Sequence, residues 1–521
     1  MNRRDFIKVA GLGSAGLALQ GCVEGMQTFT GKRAKKPNIL VIMTDEHRYD
    51  CLGCCGNKQI ITPNIDRLAA DSVRYDNSFC TYPVCTPSRY SFISGLYVHQ
   101  HRGYSNHCTL PPGTETLPGI LKKAGYKTAA VGKMHYTPTY FDIGFEKMFL
   151  AEQNGPGRWD DDYHRHLRDN DLVDRNDLID QLHNFRKLAS KEYWDSFGAI
   201  LSNLPDEYHS TTWIGDKAVD EIEKWHTDRP NMMLASFIKP HHPFDPPEKW
   251  AKMYDPDKIE ILPGWTDECP DHDLKQAYFK NEDLTEETLK KITAYYYATI
   301  THIDFHVGRM IDSLKKRGMY DDTIIIFTSD HGEHMGFHHM LLKGGHAYDS
   351  IARVPLIIKY PNSNRAGTST DRLVSNVDIA PTILKLAGLK KPKAMQGLNL
   401  LGNKNREIVF VESGKLYSVM ARTKKTKLIL QRKVSADGSI NYSGLLYDLE
   451  KDPFELNDLY GRPKYSSRQK TLTAAIDNWL PARGERNIYI DENAPIIDRP
   501  NVPKRNDGHR KEMKEYFNKK I

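Results

Sequence analysis

Four short apolar runs recur along the first two thirds of the chain, each closed by polar residues: NILVIM (38–43), KTAAVG (127–132), NMMLASFI (231–238) and DTIIIFTS (322–329). They are apolar throughout rather than alternating, so each is predicted to be a strand buried on both faces. Between the last two lies a segment of different period, residues 292–318. Its Ile300, Ile303, Val307, Ile311 and Leu314 fall at steps of three or four, which predicts a helix ended by Gly318. Buried strands alternating with helical segments predict an α/β fold with a large, mostly parallel central sheet flanked by helices. After about residue 400 the texture changes to EIVFVES, LYSVMARTKKTKLILQRK and YSGLLYDLEKDPFELNDLY. These predict a smaller C-terminal α+β domain built on an antiparallel sheet with one wet face. The expected division is a main domain at 37–400, the smaller domain at 401–490 and a polar tail at 491–521. Residues from about 150 to 225 read as an insertion before the third strand, with a solvated loop as the default.

Composition narrows the class without naming a chemistry. The chain has 521 residues, 39% of them hydrophobic, and a net charge of only +6. The basic runs GKRAKK and DGHRKEMKEYFNKK sit at the two ends and read as solvated termini, so no nucleic-acid partner is expected. No internal segment approaches the roughly 20 apolar residues that span a bilayer. The N-terminus has a paired Arg3 and Arg4, then Phe6, Lys8 and a mild apolar run ending LQGC. It resembles a twin-arginine export signal over residues 1–22 with a lipoprotein cleavage site before Cys22, followed by a linker at 23–36. Export to the periplasm or cell surface is the expectation, with any membrane contact through a lipid on Cys22.

Export would also permit disulfides among the eight cysteines. CLGCCG (51–56) suggests zinc, but no second Cys/His pair at finger spacing follows, so buried thiols or a local disulfide are expected there.

The residues that follow each apolar run point to one place. Asp45 and Glu46 follow the first, Lys133 and His135 the second, Lys239, His241 and His242 the third, and Asp330 and His331 the fourth. Open parallel sheets bind ligands outside the carboxyl ends of their strands. The set Asp45, Glu46, Asp330 and His331 suits a hard divalent cation, calcium ahead of magnesium. Lys133, Lys239, Lys343 and Arg89 imply an anionic ligand, a sulfate or phosphate ester.

The missing nucleophile lies in YPVCTPSRYSFISG (82–95). CTPSR with its downstream glycine resembles the C-x-P-S-R maturation motif of the type I sulfatases, members of the alkaline-phosphatase-like superfamily. NILVIMTDEHR, VGKMH, KPHHPF, FTSDHGEHMGFHHMLLKGG, ARVPLII and LYDLEKDPFELNDLY are similar to sulfatase segments, in the same order. The resemblance implies that a maturation enzyme oxidises Cys85 to formylglycine. One hydroxyl of the hydrated aldehyde would attack sulfur, and the second would lose a proton and expel sulfate by C–O cleavage. It further implies a metal shell of Asp45, Cys85, Asp330 and His331, with Glu46 standing where many relatives carry Asp. Lys133 and Lys343 are similar to sulfate-binding lysines, His135 to the base, and His241 to the residue beside the leaving oxygen, a task Lys343 can share. Arg89 would hold the hydrate oxygen or the metal shell, and Pro87 suggests that residue 85 starts a helix. His242 reads as a structural or substrate-side neighbour, and His334, His338, His339 and His346 as loop histidines. The expected substrate is a sulfated carbohydrate such as ulvan or a glycosaminoglycan. The alternatives are a phosphonate or phosphate ester hydrolase of the same superfamily, and a catalytically decayed carbohydrate-binding lipoprotein.

Overall fold

The structure, a computed structural model, describes residues 36–153, 155–273, 279–413, 418–434, 440–480, 488–498 and 507–520. The expected export signal, Cys22 and nearly all of the linker lie outside the described residues. The first apolar run becomes the strand β1 (Asn38–Asp45), every residue of which is buried. Its side chains alternate between two cores. Leu40 and Ile42 enter the one that holds the helices Ser210–Glu223 and Glu286–Lys316. Ile39, Val41 and Met43 enter the one that holds the helices Cys85–Ser94 and Ile379–Leu386. A strand with cores on both sides has no wet face, which is why its sequence shows no alternation.

The eight-stranded sheet runs β4 (Lys147–Leu150), β3 (Lys127–Gly132), β5 (Asn231–Pro240), β1, β6 (Thr323–Ser329), β7 (Leu356–Lys359), β2 (Val73–Phe79) and β8 (Thr368–Ser375). Only β7 pairs antiparallel, with β6 on one side and β2 on the other. The four strands expected from the sequence are therefore consecutive neighbours, β3-β5-β1-β6, all pointing the same way. The long helix runs Glu286–Lys316, six residues further upstream than its apolar period shows. Thr285 caps it by accepting from the Thr288 N–H, and Glu286, Glu287, Lys315 and Lys316 complement the helix dipole at its two ends. Those first turns are polar, so the hydrophobic period is silent there.

The later elements correct the sequence picture in three places. The C-terminal sheet β12 (Ile440–Asp448), β11 (Thr426–Val434), β10 (Ser418–Arg422), β9 (Val409–Ser413) is antiparallel as expected, but both of its faces are covered. One packs Val411, Met420 and Ile429 against Tyr348 and Phe79 of the main body. The other is covered by Leu472 and Ile476 of the helix Ser466–Trp479. The tail is not simply solvated. Ile497 N–H donates to the Tyr140 carbonyl at 3.0 Å, and Met513 and Phe517 of the helix Asp507–Lys520 are buried against Trp159 and Leu178. The 150–225 insertion is a set of packed helices rather than a loop, with Tyr163, Leu167, Tyr193 and Phe197 in the core. Cys51, Cys54 and Cys55 form no disulfide, and among the described residues CLGCCG belongs to no metal-ligand group.

One glycine sets the site's backbone. Gly132 closes β3 at φ +90, and a Cβ there would stand 2.0 Å from the Ser236 carbonyl oxygen. That carbonyl accepts the Lys133 N–H at 2.8 Å, so the tight approach fixes where Lys133 leaves the sheet. Gly132→Ala is expected to destabilise the fold by about 3 kcal/mol or more, from the left-handed backbone and the backbone clash together. Denaturant unfolding monitored by fluorescence checks this.

Candidate active site

Cys85 reaches the rim of the sheet from the loop after β2. Val84 is the extended N-cap and Cys85 the first residue of the helix Cys85–Ser94, so residue 85 does start a helix. Around it gather Asp45 from the end of β1 and Asp330 and His331 from just beyond β6. One potential ligand atom from each of these four buried residues lies within 4.8 Å of the other three. The Cys85 Sγ is 3.6 Å from Asp45 Oδ1 and 3.3 Å from His331 Nε2. His331 Nδ1 faces the Gly332 carbonyl at 2.9 Å and so carries the proton, which leaves the Nε2 lone pair turned into the cluster.

Two buried carboxylates this close repel, and Arg89 is what holds them. Its Nε donates to Asp330 Oδ2 at 2.9 Å and its Nη2 to Asp45 Oδ2 at 2.8 Å. Its Nη1 is used by the Lys133 carbonyl and Ser236 Oγ. Lys133 Nζ adds a second cation on Asp45 Oδ2 at 2.8 Å. Both outer oxygens are thereby occupied, while Asp45 Oδ1 faces inward, 3.8 Å from His331 Nε2. Burial alone would raise the Asp45 carboxyl, but Lys133, His241, Arg89 and His331 hold it well below the usual range. Burial and Asp45 push the Cys85 thiol up to about 12, so the thiol is protonated at neutral pH and a poor nucleophile as it stands. The donor set of two carboxylates, one imidazole and a position at residue 85 fits a divalent ion.

A second group of side chains sits beside the first. Lys343 Nζ is 2.7 Å from both Glu46 Oε2 and His241 Nε2. Burial works against the Lys343 ammonium, but Cys85, Glu46 and Asp45 raise it, so it is a cation throughout the working range. His241 Nδ1 lies 2.7 Å from the His242 carbonyl, which fixes the proton on Nδ1 and leaves Nε2 to accept from Lys343. His135 has φ +59 and is buried, and neither of its ring nitrogens has a hydrogen-bond partner among the described residues. Burial, then Lys133 and Arg89, hold it well below the ordinary histidine value, so it is a neutral base.

The structure thus brings Asp45, Cys85, Arg89, Lys133, His135, His241, Asp330, His331 and Lys343 to one rim, and it reassigns several expectations. Glu46 is not in the four-residue cluster; its carboxylate faces Lys343 and His241. Lys239 is not free to bind an anion, because its Nζ is taken by Asp245 Oδ1 at 2.5 Å and the Pro243 carbonyl at 2.7 Å. The four loop histidines are buried and bonded. His334 faces Ser350 and Gly344, His338 faces Asp273 and Phe454, His339 the Thr266 carbonyl and His346 the His272 carbonyl. Sequence reading missed the residues behind the site. Glu152 accepts the Met134 and His135 N–H groups, and Gln153 bridges Lys133 to the His242 carbonyl. Asp180 bonds His242 Nδ1 at 2.5 Å. They sit in the insertion or just before it, where no apolar period or strand end marks them.

Residues 37–389 match the sulfatase family model. The chain belongs to the sulfatase family. Residues 332–480 also match the model described as N-sulphoglucosamine sulphohydrolase, C-terminal. The chain is 32% identical to an arylsulfatase of Clostridium perfringens, over 88% of this chain and 97% of that one. It is 27% identical to an N-acetylglucosamine-6-O-sulfatase of Bacteroides thetaiotaomicron, over 89% of each. It shares its fold with a protein solved in complex with its substrate D-glucosamine-2-N,6-O-disulfate, at a TM-score of 0.67, 22% identity and coverage of 85% and 97%. This sulfatase is a sulfuric ester hydrolase on an alkaline-phosphatase-like fold, and its buried Asp45, Asp330 and His331 group suits the divalent metal the family generally uses.

Arg89→Ala should leave two buried carboxylates facing one another and cost about 3–5 kcal/mol of stability. The loss should shrink when a saturating divalent cation is added, which differential scanning calorimetry with and without the ion would record. In chelator, the Cys85 thiol should alkylate at least about tenfold more slowly at neutral pH than an ordinary exposed thiol, because burial and Asp45 keep it protonated and burial limits access. Peptide mass spectrometry after timed iodoacetamide exposure measures this.

Proposed function

We propose that this sulfatase removes sulfate from sulfated carbohydrate by a formylglycine mechanism, and that its metal is calcium. The observation that carries the mechanism is the position of Cys85. It lies at a helix N-terminus inside a shell of Asp45, Asp330 and His331, and burial keeps its thiol protonated, which supports reading it as a precursor rather than a thiolate nucleophile. Its Sγ stands where the oxygens of a formylglycine hydrate would stand. Matured in that way, residue 85 would supply the attacking oxygen and an exit for sulfate by C–O cleavage.

The rest of the chemistry falls to the chain's own side chains. Lys133 and Lys343 flank residue 85 and neutralise the sulfate oxygens. His135, buried, neutral and with both ring nitrogens unpaired, takes the proton from the second hydroxyl. The Lys343–His241 pair, at 2.7 Å, supplies the proton to the departing alcohol oxygen. A divalent ion held by Asp45, Asp330, His331 and residue 85 would lower the barrier as a Lewis acid at the attacking oxygen.

The donor set supports calcium: two carboxylates and the oxygens of a matured residue 85, with one imidazole, make a shell rich in oxygen, as a hard cation prefers. Carbohydrate is supported by relatives named as N-acetylglucosamine-6-O-sulfatase and ulvan-active sulfatase. An exported protein, acting in the periplasm or at the cell surface with a lipid on Cys22, accords with a polysaccharide substrate.

Intact mass of the peptide containing residue 85, from protein coexpressed with a maturation enzyme, is expected to show loss of the thiol and gain of an aldehyde. Cys85→Ala should lower kcat by at least ~10³-fold with the fold preserved, and chelator should abolish turnover that calcium then restores. Sulfate monoesters of glucosamine and of ulvan oligosaccharides should outrun a phosphate diester in side-by-side kcat/KM measurements. A phosphodiester preference would overturn the substrate class.

A further inference from the structure

We propose that Glu152 is a positioning residue for His135, and that it governs the release of sulfate from residue 85 rather than the cleavage of the ester. The inference rests on the reading of His135 as the base. Neither ring nitrogen of His135 has a hydrogen-bond partner among the described residues, so no polar contact of the side chain sets where the ring stands. That falls to its main chain. At φ +59 it lies in the left-handed region, where a residue with a Cβ stays only if its surroundings hold it. Glu152 Oε1 accepts the His135 N–H at 2.9 Å and the Met134 N–H at 3.0 Å, and Oε2 lies 3.1 Å from the same His135 nitrogen. On the other side, the His135 carbonyl accepts the Thr86 hydroxyl at 2.7 Å, next to residue 85. The turn that carries the base is thus fastened to the helix of residue 85 at one end and to a single carboxylate at the other.

Glu152 is itself held. It is buried, its N–H donates to Asp161 Oδ2 at 2.5 Å, and a Cβ at Gly157 would stand 2.8 Å from its Cγ. Asp161 in turn caps the helix Asp162–Asp169 by accepting the His164 N–H. Burial raises the Glu152 carboxyl to about 7, with the His135 and Met134 N–H groups and Lys133 working against that rise and Asp161 adding to it. Tyr90 and Tyr136 also face it. Ionised, its oxygens are charge-assisted acceptors and hold the turn most firmly. Lys133 does not depend on Glu152, because its N–H donates to the Ser236 carbonyl at 2.8 Å and its Nζ bonds Asp45 Oδ2 at 2.8 Å. Loss of Glu152 therefore shifts the base and leaves the anion-binding lysine in place. In the step concerned, the free hydroxyl of sulfated residue 85 gives its proton to a His135 ring nitrogen. The O–H electron pair becomes the second bond of the aldehyde, and the C–O bond to sulfate breaks with its pair leaving on sulfate.

The test follows alcohol release from an excess of an aryl sulfate by stopped flow, with matured full-length enzyme, at a pH where Glu152 is ionised. Glu152→Ala should release one alcohol per chain in a burst and then turn over about 100-fold more slowly than the parent. During the slow phase, intact mass should show sulfate on residue 85. Because only the step after alcohol loss is slowed, KM falls with kcat, and kcat/KM changes by less than about threefold. Glu152→Gln keeps one oxygen for the two N–H groups and should give the same signature with a loss in kcat of only about tenfold. His135→Ala, as the reference, should burst as well. Equal losses of kcat and kcat/KM without a burst in the two Glu152 variants, while His135→Ala bursts, overturn the proposal, because a merely structural role predicts that pattern. Glu152→Gln no better than Glu152→Ala overturns it too. No burst in His135→Ala is a different failure: it removes the base assignment, and the proposal falls with it.

Discussion

Two carboxylates held a few ångströms apart in a dry pocket would drive each other apart or take up protons, and the whole rim depends on preventing that. Arg89 prevents it by spanning Asp45 and Asp330 with separate nitrogens of one rigid fork. A lysine, with a single point charge, cannot make both contacts at once with that geometry. Because Arg89 lies one turn into the helix that begins at Cys85, the same residue that fixes the carboxylates fixes the position of residue 85. The outer oxygens are spent on Arg89 and Lys133; of the others, Asp45 Oδ1 faces His331 Nε2 and Asp330 Oδ1 accepts the Glu46 and His331 N–H groups.

The site is layered outward from that ion pair. Nearest the sheet are groups whose charge is settled by neighbours: Asp45 is kept ionised by its cations, while Cys85 and His135 are kept neutral by burial. Next comes the Lys343–His241–Glu46 group, whose cation sits on the rim side. Behind both stands the insertion, which supplies Gln153 to Lys133 and Asp180 to His242. A segment that looks peripheral in sequence therefore sets the orientation of side chains at the rim of the site. The C-terminal sheet is tied in the same buried manner, with Lys427 Nζ 2.6 Å from Asp349 Oδ1 and Arg422 on the other oxygen of that carboxylate.

The amino-acid sequence by itself determined the strands and the chemistry at their ends. An all-apolar run such as NILVIM has no stable place except between two cores, and a polar residue just past it must emerge at the sheet's carboxyl edge. Asp45, Lys133, Asp330 and His331 were legible for that reason, and Cys85 through its motif. What the sequence left open were contacts between residues far apart in the chain, which carry no local period. Lys239 follows its strand as Lys133 does, yet Asp245 neutralises it, and nothing in its own segment announces that pairing. Glu46 adjoins Asp45 but turns at φ +62 toward Lys343, nearly 300 residues away. The helix around Met513 and Phe517 reads as polar, yet those two side chains are buried against Trp159 and Leu178, a surface that exists only once the insertion has folded. Local patterning fixes what a segment can bury; which charge meets which is decided only when the assembled fold excludes water between them.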